Sequence, residues 1–250
     1  KKESNEKTKK LSDSYEFVAG TPIDIYNDGR EAIFIGGNKG THDAMLLYNK
    51  KTKKMEDIIS KTNIDSLEAT HSAVSVDLDK DGYVDLLVAR QTGVFLYKNN
   101  KDGIFTKSLL LKKQKDSTPL AISISDYDKD GNPDIYVSQF IDDTLDKYFQ
   151  FHNKKHSKKN VMLKGKNDGT FEPIDESLTG AINKHNTFTS AFVDLNNDGY
   201  PDLVNVSDTG QIEVYQNAQG KFERLVPFKK YGSYMGLAVA DIDNDGDQDL

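Results

Sequence analysis

Cysteine is missing from the 250-residue chain, and with it go disulfides, thiolate metal sites and cysteine nucleophiles. Long apolar runs are missing as well. The longest uncharged apolar stretch, Met235 to Ala240, falls far short of the roughly 20 residues that cross a bilayer as a helix. Basic charge is in deficit, with 33 Lys and Arg against 40 Asp and Glu and a net charge of -7. A nucleic-acid binder needs a basic face for the phosphates, so no nucleic-acid partner is expected. Gly-x-Ser-x-Gly, His-Glu-x-x-His and phosphate-cradling glycine loops are absent too. No catalytic residue is assigned, and the reading leans away from an enzyme.

What is present is repetition. Four segments follow one pattern: Asp77-Leu78-Asp79-Lys80-Asp81-Gly82-Tyr83-Val84-Asp85, Asp126-Tyr127-Asp128-Lys129-Asp130-Gly131-Asn132-Pro133-Asp134, Asp194-Leu195-Asn196-Asn197-Asp198-Gly199-Tyr200-Pro201-Asp202 and Asp241-Ile242-Asp243-Asn244-Asp245-Gly246-Asp247-Gln248-Asp249. A degenerate copy, Asp24-Ile25-Tyr26-Asn27-Asp28-Gly29-Arg30-Glu31, precedes them. Each full copy follows an apolar, β-branched run such as Ser72-Ala73-Val74-Ser75-Val76. The first three each precede another such run, for example Leu86-Leu87-Val88-Ala89. By length and composition these runs are strands. A third apolar stretch comes next (Val94 to Tyr97, Val161 to Leu163, Ile212 to Tyr215), then a turn with an aromatic such as Asp102-Gly103-Ile104-Phe105. Four short strands in a unit of this length make a β-propeller blade, so the fold class expected is all-β. Residues 1–12 are polar and aperiodic and read as a disordered tether. Blades are expected at about 13–62, 66–115, 118–180 and 186–230, with a fifth starting at 233–250.

The loop spacing carries chemistry. Carboxylates at the first, third and fifth positions can turn inward around one ion when a glycine at the sixth permits a tight bend. The backbone carbonyl of the seventh and the Asp at the ninth complete the shell. An all-oxygen set of flexible charged ligands suits Ca²⁺, whereas Mg²⁺ demands a smaller octahedron and keeps its waters. Without an ion, crowded carboxylates repel and raise one another's pKa, so a strained or disordered loop is expected. An EF-hand would need a Glu at the twelfth position and flanking helices. Here the first three loops have Val88, Val137 and Asn205 at that position, within predicted strands.

With these loops, the strand after each, and the Asn99 to Phe105 turn, residues 15 to 250 resemble the integrin-α-type FG-GAP or VCBS repeats. Residues Met235 to Asp241 are also similar to bacterial relatives of the cartilage acidic protein family. The repeat resemblance implies a calcium-loaded propeller whose metal loops join the first and second strands of each blade. Carried over by position, the side-chain ligands are Asp77, Asp79, Asp81 and Asp85; Asp126, Asp128, Asp130 and Asp134; Asp194, Asn196, Asp198 and Asp202; and Asp241, Asp243, Asp245 and Asp249. Tyr83, Asn132, Tyr200 and Asp247 would give carbonyls. Asn196 removes one charge, so the third site is expected to bind most weakly. The degenerate loop, with Tyr26 at the third position and Ala32 at the ninth, is expected to be metal-free. Four calcium ions would take the net charge from -7 to +1. Loops of this general type can work at the millimolar calcium of extracellular modules, so residence outside the cytoplasm is expected.

A closed propeller of this family commonly has about seven blades. The chain therefore reads as part of a longer one, or as completed by another subunit. Its start at Lys1 reads as processed or trimmed, and the tether resembles the stretch after the lipid-modified Cys of a bacterial lipoprotein. A protein or glycan partner is expected, identity open. On a propeller the face opposite the metal loops would carry His71, Arg90, Gln91, His185, Phe188, Tyr231 and Tyr234, whose aromatics could stack on sugars or anchor a protein. The leading function is a non-enzymatic interaction or adhesion module with structural calcium; the alternative is a carbohydrate-binding or polysaccharide-cleaving propeller using that opposite face. The insertion from Gln139 to Asn160, with His152 and His156 among lysines, reads as a solvated basic loop, or as a contact for an acidic partner or anionic glycan. The sequon Asn205-Val206-Ser207 falls in a predicted strand and is expected to be idle.

Overall fold

The computed structural model describes residues 19–141, 159–174, 186–207, 210, 212–225, 232 and 234–250. The expected tether, His152, His156, His185 and Tyr231 lie outside the described residues. The chain divides into two compact units, Lys1–Lys112 and Lys113–Leu250.

The first unit holds β1 (Gly20–Ile23), β2 (Ala32–Ile35), β3 (Ala44–Asn49), β4 (Lys54–Asp57), a single 3-10 turn at Ile59–Lys61, then β5 (Thr70–Val76), β6 (Asp85–Arg90), β7 (Gly93–Asn99) and β8 (Phe105–Lys112). They form two four-stranded sheets, β1-β2-β3-β4 and β5-β6-β7-β8, antiparallel throughout and in chain order, as in propeller blades. The sequence pattern explains the layering. Every residue of β6 is buried, which is why Leu86 to Ala89 reads as a continuous apolar run, whereas β2 alternates, with Ala32 and Phe34 buried and Ile33 and Ile35 exposed. Ile23, Phe34 and Met45 of one sheet, with Ile25 of its first loop, share a core with Leu86, Val88, Tyr97 and Phe105 of the other. The first strands meet through small polar groups: Ser75 Oγ donates to the Pro22 carbonyl at 2.7 Å and lies 3.2 Å from Thr21 Oγ1.

Arg90 departs from its expected place on an open ligand face. It is fully buried, with its guanidinium 2.7 Å from Asp43 Oδ2. It also donates to Thr70 Oγ1 at 2.6 Å and to the Tyr97 hydroxyl at 3.3 Å. A charge that far from water requires such a partner set, and here the partners leave no donor turned outward.

The second unit holds β9 (Ser117–Ser125), β10 (Asp134–Ile141), β11 (Val161–Gly165), β12 (Phe171–Pro173), β13 (Thr187–Val193), β14 (Asp202–Ser207), β15 (Glu213–Ala218) and β16 (Lys221–Leu225). They too form two antiparallel four-stranded sheets in chain order. β10 and β14 are buried along their whole length. Tyr127, Tyr136, Met162, Leu203, Tyr215 and Phe222 make the core. Ser123 Oγ of β9 donates to the Ser190 carbonyl of β13 at 2.8 Å, repeating the polar contact of first strands seen in the first unit.

Within each unit an asparagine at the end of the third strand fastens one sheet to the loop of the sheet before it. Asn99 Nδ2 donates to the Ile25 carbonyl at 2.9 Å, and Asn217 Nδ2 donates to the Tyr127 carbonyl at 2.7 Å. Gly103, at φ +79°, packs against the Tyr26 ring, and a Cβ there would lie 2.5 Å from Tyr26 Cε1. Both the conformation and the space exclude a side chain.

Candidate metal centre

The Asp-rich segments are turns at one end of the sheets, each leading from a first strand to a second or, at residues 241–249, following Ala240. Their shape comes from the chain itself. The fourth residue is left-handed in all five copies: Asn27, Lys80, Lys129, Asn197 and Asn244 have φ between 51° and 59°. The sixth is a glycine, with φ between 77° and 97° in the four copies where it is Gly29, Gly82, Gly199 or Gly246, and 89° at Gly131. The first Asp accepts the amide of that glycine, at 2.9 Å for Asp77, 2.8 Å for Asp126, 2.7 Å for Asp194 and 3.1 Å for Asp241. The fifth Asp accepts the amide two residues on, as Asp81 does from Tyr83 at 3.0 Å and Asp198 from Tyr200 at 2.8 Å. These are Asx-type turns, which Asp and Gly favour.

The ninth Asp anchors the loop to the sheet with both oxygens. Asp85 accepts the Asn99 amide at 2.8 Å and the Leu78 amide at 3.3 Å. Asp134 accepts those of Gly165 at 2.9 Å and Tyr127 at 3.1 Å, and Asp202 those of Asn217 at 2.7 Å and Leu195 at 3.1 Å. Burial pushes the Asp85 carboxyl up to about 6 and the Asp134 carboxyl up to about 7; the amide bonds oppose this, and the neighbouring loop carboxylates add to it. Asp202 is raised for the same first reason. Burial together with the neighbouring charge of Asp128 and Asp134 also raises the Tyr127 hydroxyl to about 12.

Three triads come together: Asp77, Asp79 and Asp85; Asp126, Asp128 and Asp134; Asp241, Asp243 and Asp249. In each, one oxygen per residue lies within 4.8 Å of the others. In two of them an oxygen is left over. Asp79 Oδ1 and Asp126 Oδ1 are buried and have no hydrogen-bond partner. A buried acceptor without a donor is costly, and a hard cation is the partner that an all-oxygen cluster of this kind fits. Asp81, Asp130 and Asp245 stand at the fifth positions beside these triads. In the loop at 194–202, Asn196 Nδ2 donates to Asp198 Oδ2 at 2.9 Å, so the amide ties together two members of the expected ligand set.

Lysines not singled out in the sequence reach into two of the loops. Lys98 Nζ of β7 bonds Asp79 Oδ2, and Lys164 Nζ of β11 bonds Asp128 Oδ2 and lies 3.0 Å from Asp130 Oδ2. Lys101 Nζ is 3.4 Å from Asp81 Oδ2. The Lys98 and Lys164 ammonium groups are raised, first by the bonds to Asp79 and to Asp128. The pairs lie 19 and 36 residues apart in the chain, and only the strand register shows them.

The degenerate loop has the same turn without the triad. Asp24 accepts the amides of Asp28 at 3.2 Å and Gly29 at 2.7 Å, while Arg30 grips Asp28 at 2.5 Å and holds its carboxyl below the usual range. Tyr26 packs on the core and Ala32 is buried. Of the remaining expected residues, Phe188 stacks edge-on against Phe140 with ring centroids 5.6 Å apart. The Tyr234 amide donates to the Ser207 carbonyl at 3.0 Å, and the Gln91 amide to the Ala69 carbonyl at 3.2 Å. His71 is half-buried on β5. Asn205 is buried, its amide on the Tyr136 hydroxyl at 2.8 Å. Tyr83, Asn132, Tyr200 and Asp247 hold the seventh positions, with Tyr200 under Lys129 Nζ at 4.5 Å and Tyr83 under Lys101 Nζ at 5.5 Å.

Among solved structures, the chain is similar to an Agrocybe aegerita lectin described for its specific recognition of non-reducing terminal N-acetylglucosamine. Identity is 17%, coverage 94% of this chain and 60% of the lectin, and the TM-score 0.54. That likeness concerns the fold, and the chain spans 60% of the lectin's length. More distant are the Photorhabdus luminescens Tc holotoxin pore (16% identity, 92% and 10% coverage, TM-score 0.45) and the V. cholerae biofilm matrix protein Bap1 (14%, 87% and 40%, 0.41). No curated protein matches the chain in sequence. The FG-GAP-like repeat family matches residues 77–137 and 194–250, segments that contain all four full loops. Over those two segments the chain is similar to FG-GAP-like repeats.

Proposed function

We propose that this chain is a calcium-binding propeller module, in which the ions are structural and the opposite ends of the sheets serve a protein partner outside the cytoplasm. The observation that carries the calcium reading is the pair of buried, partnerless oxygens, Asp79 Oδ1 and Asp126 Oδ1, each within an Asp triad. Asp77, Asp79, Asp81 and Asp85 would hold one ion, with the corresponding residues of the other full loops holding theirs. The ion supplies charge neutralisation and ties the turn to the second strand. The chain's own contribution is the preformed turn: amides hold the first, fifth and ninth carboxylates in place before any ion arrives. Millimolar calcium outside cells suits loops of this ligand type. Binding to the folded state alone stabilises it by about 2.7 kcal/mol per site when free calcium is a hundredfold above the dissociation constant.

Calorimetric titration with calcium, a metal count, and melting in calcium and in chelator test this reading. The expected result is about four ions per chain and a large loss of melting temperature in chelator, with Asp79→Ala losing more stability in calcium than in chelator. No uptake and no shift on chelation would sink it.

A further inference from the structure

The third-strand residue at one fixed register position changes together with the third loop position in every sheet. The register defines it. The tenth loop residue pairs with the third strand in each sheet: Ile33 with Leu46, Leu86 with Tyr97, Ile135 with Leu163 and Leu203 with Tyr215. The next residue on that strand is therefore Leu47, Lys98, Lys164 or Gln216. The third loop positions, in the same order, are Tyr26, Asp79, Asp128 and Asn196. Apolar Tyr26 goes with apolar Leu47, and both pack on the first unit's core. The two carboxylates each have a lysine, and the neutral amide Asn196 has the neutral amide Gln216 in the corresponding place.

We propose that Lys98 and Lys164 set the calcium affinity of their loops as tethered counter-cations, which neutralise Asp79 and Asp128 in the ion's absence and are displaced from them when calcium binds. This rests on the calcium reading above. The ammonium groups have water to turn into, since the Lys98 side chain is 48% exposed and that of Lys164 29%. Each lysine cancels one carboxylate, so on loop side chains and third-strand cations alone the loops at 77–85 and 126–134 have no charge advantage over the loop at 194–202, where the third strand offers no cation and Asp198 feels Lys129 from a neighbouring loop. The third loop is then not the weakest site on account of Asn196.

The test compares wild type with Lys98→Met, Lys164→Met and Gln216→Lys, each titrated with calcium by calorimetry and melted in chelator. Exposed ion pairs are modest, so each Lys→Met variant is expected to bind calcium at one site roughly two- to fivefold more tightly, and to melt lower in chelator. Gln216→Lys is expected to weaken one site by a similar factor. Unchanged affinity and unchanged chelator melting in both lysine variants would overturn the proposal, as would weaker calcium binding by them, which would mean that the lysines hold the loop in its binding shape. If wild type itself takes up no calcium, the calcium reading fails first and displacement fails with it. Calcium uptake by wild type with no response to the variants overturns this proposal alone.

Discussion

The first unit contains two loops of the same shape and different chemistry. At 24–32 and at 77–85 the fourth residue is left-handed, the sixth is a glycine with positive φ, and the first Asp accepts the amides of the fifth and sixth residues. The turn is therefore an achievement of the Asx contacts and the glycine, and needs only two Asp residues. What separates the loops is the third and ninth positions. Tyr26 and Ala32 contribute to the core, whereas Asp79 and Asp85 converge with Asp77 into a triad. Arg30 closes the first loop on Asp28, and the second is left with an unpartnered oxygen on Asp79. The shape of an Asp-Gly loop thus says little about an ion, and its third and ninth residues say most.

The ninth position offers the strongest way to break this comparison. Asp85 is 2% exposed and takes the amides of Leu78 and Asn99, two buried groups that alanine would leave without an acceptor. At about 1–3 kcal/mol for each orphaned group, Asp85→Ala is expected to cost roughly 2–4 kcal/mol, part of the desolvation cost of the carboxylate being returned. That loss should persist in full in chelator, unlike the loss expected of Asp79→Ala, which is larger in calcium. Denaturant unfolding of both variants in both buffers measures it; an Asp85→Ala variant as stable as wild type in chelator would reduce the ninth residue to a metal ligand alone.

The pH response sharpens the same contrast. The folded state holds Asp85 at about 6 and Asp134 at about 7, against roughly 3.9 for an unfolded aspartate. Between these values the folded chain keeps protons that the unfolded chain has released, so stability in chelator should fall as pH rises from about 4 to about 7. Asp85→Asn should flatten the fall, because an amide does not titrate there. Melting across this window in chelator, with wild type and variant in parallel, checks the sign; a slope untouched by the substitution would place the titration elsewhere.

Much of this architecture is legible without coordinates. The repeat spacing, the β-branched runs and the Asp-Gly turns are local features, and local features determine the strands and the four-stranded sheets. Even the turn from Asn99 to Phe105 stood out as a motif, although its role in reaching back to the Ile25 carbonyl depends on a partner 74 residues away. What could not be read is what depends on register. An arginine at a strand end looks exposed until Asp43, 47 residues earlier, is seen beneath it. Lys98 and Lys164 look like ordinary solvated lysines on strands because nothing in their neighbourhood names Asp79 or Asp128. Counting carboxylates within a loop therefore ranks the sites by incomplete charge.

The smallest expected effect belongs to the degenerate loop. Arg30 and Asp28 are both well exposed, at 41% and 38%, and pair across two residues of one turn. Solvent screens such a pair, and the entropy of holding a long side chain offsets much of the gain. The turn beneath it is held by the Asp24 carboxylate, which accepts the amides of Asp28 and Gly29. Arg30→Ala should therefore shift the melting temperature little, and by the same amount in calcium as in chelator. A calcium-dependent rise in the variant would mean that the guanidinium had been standing in for an ion that Asp24 and Asp28 can recruit without the third and ninth carboxylates. The distinction between the two loops would then lie in one arginine rather than in Tyr26 and Ala32.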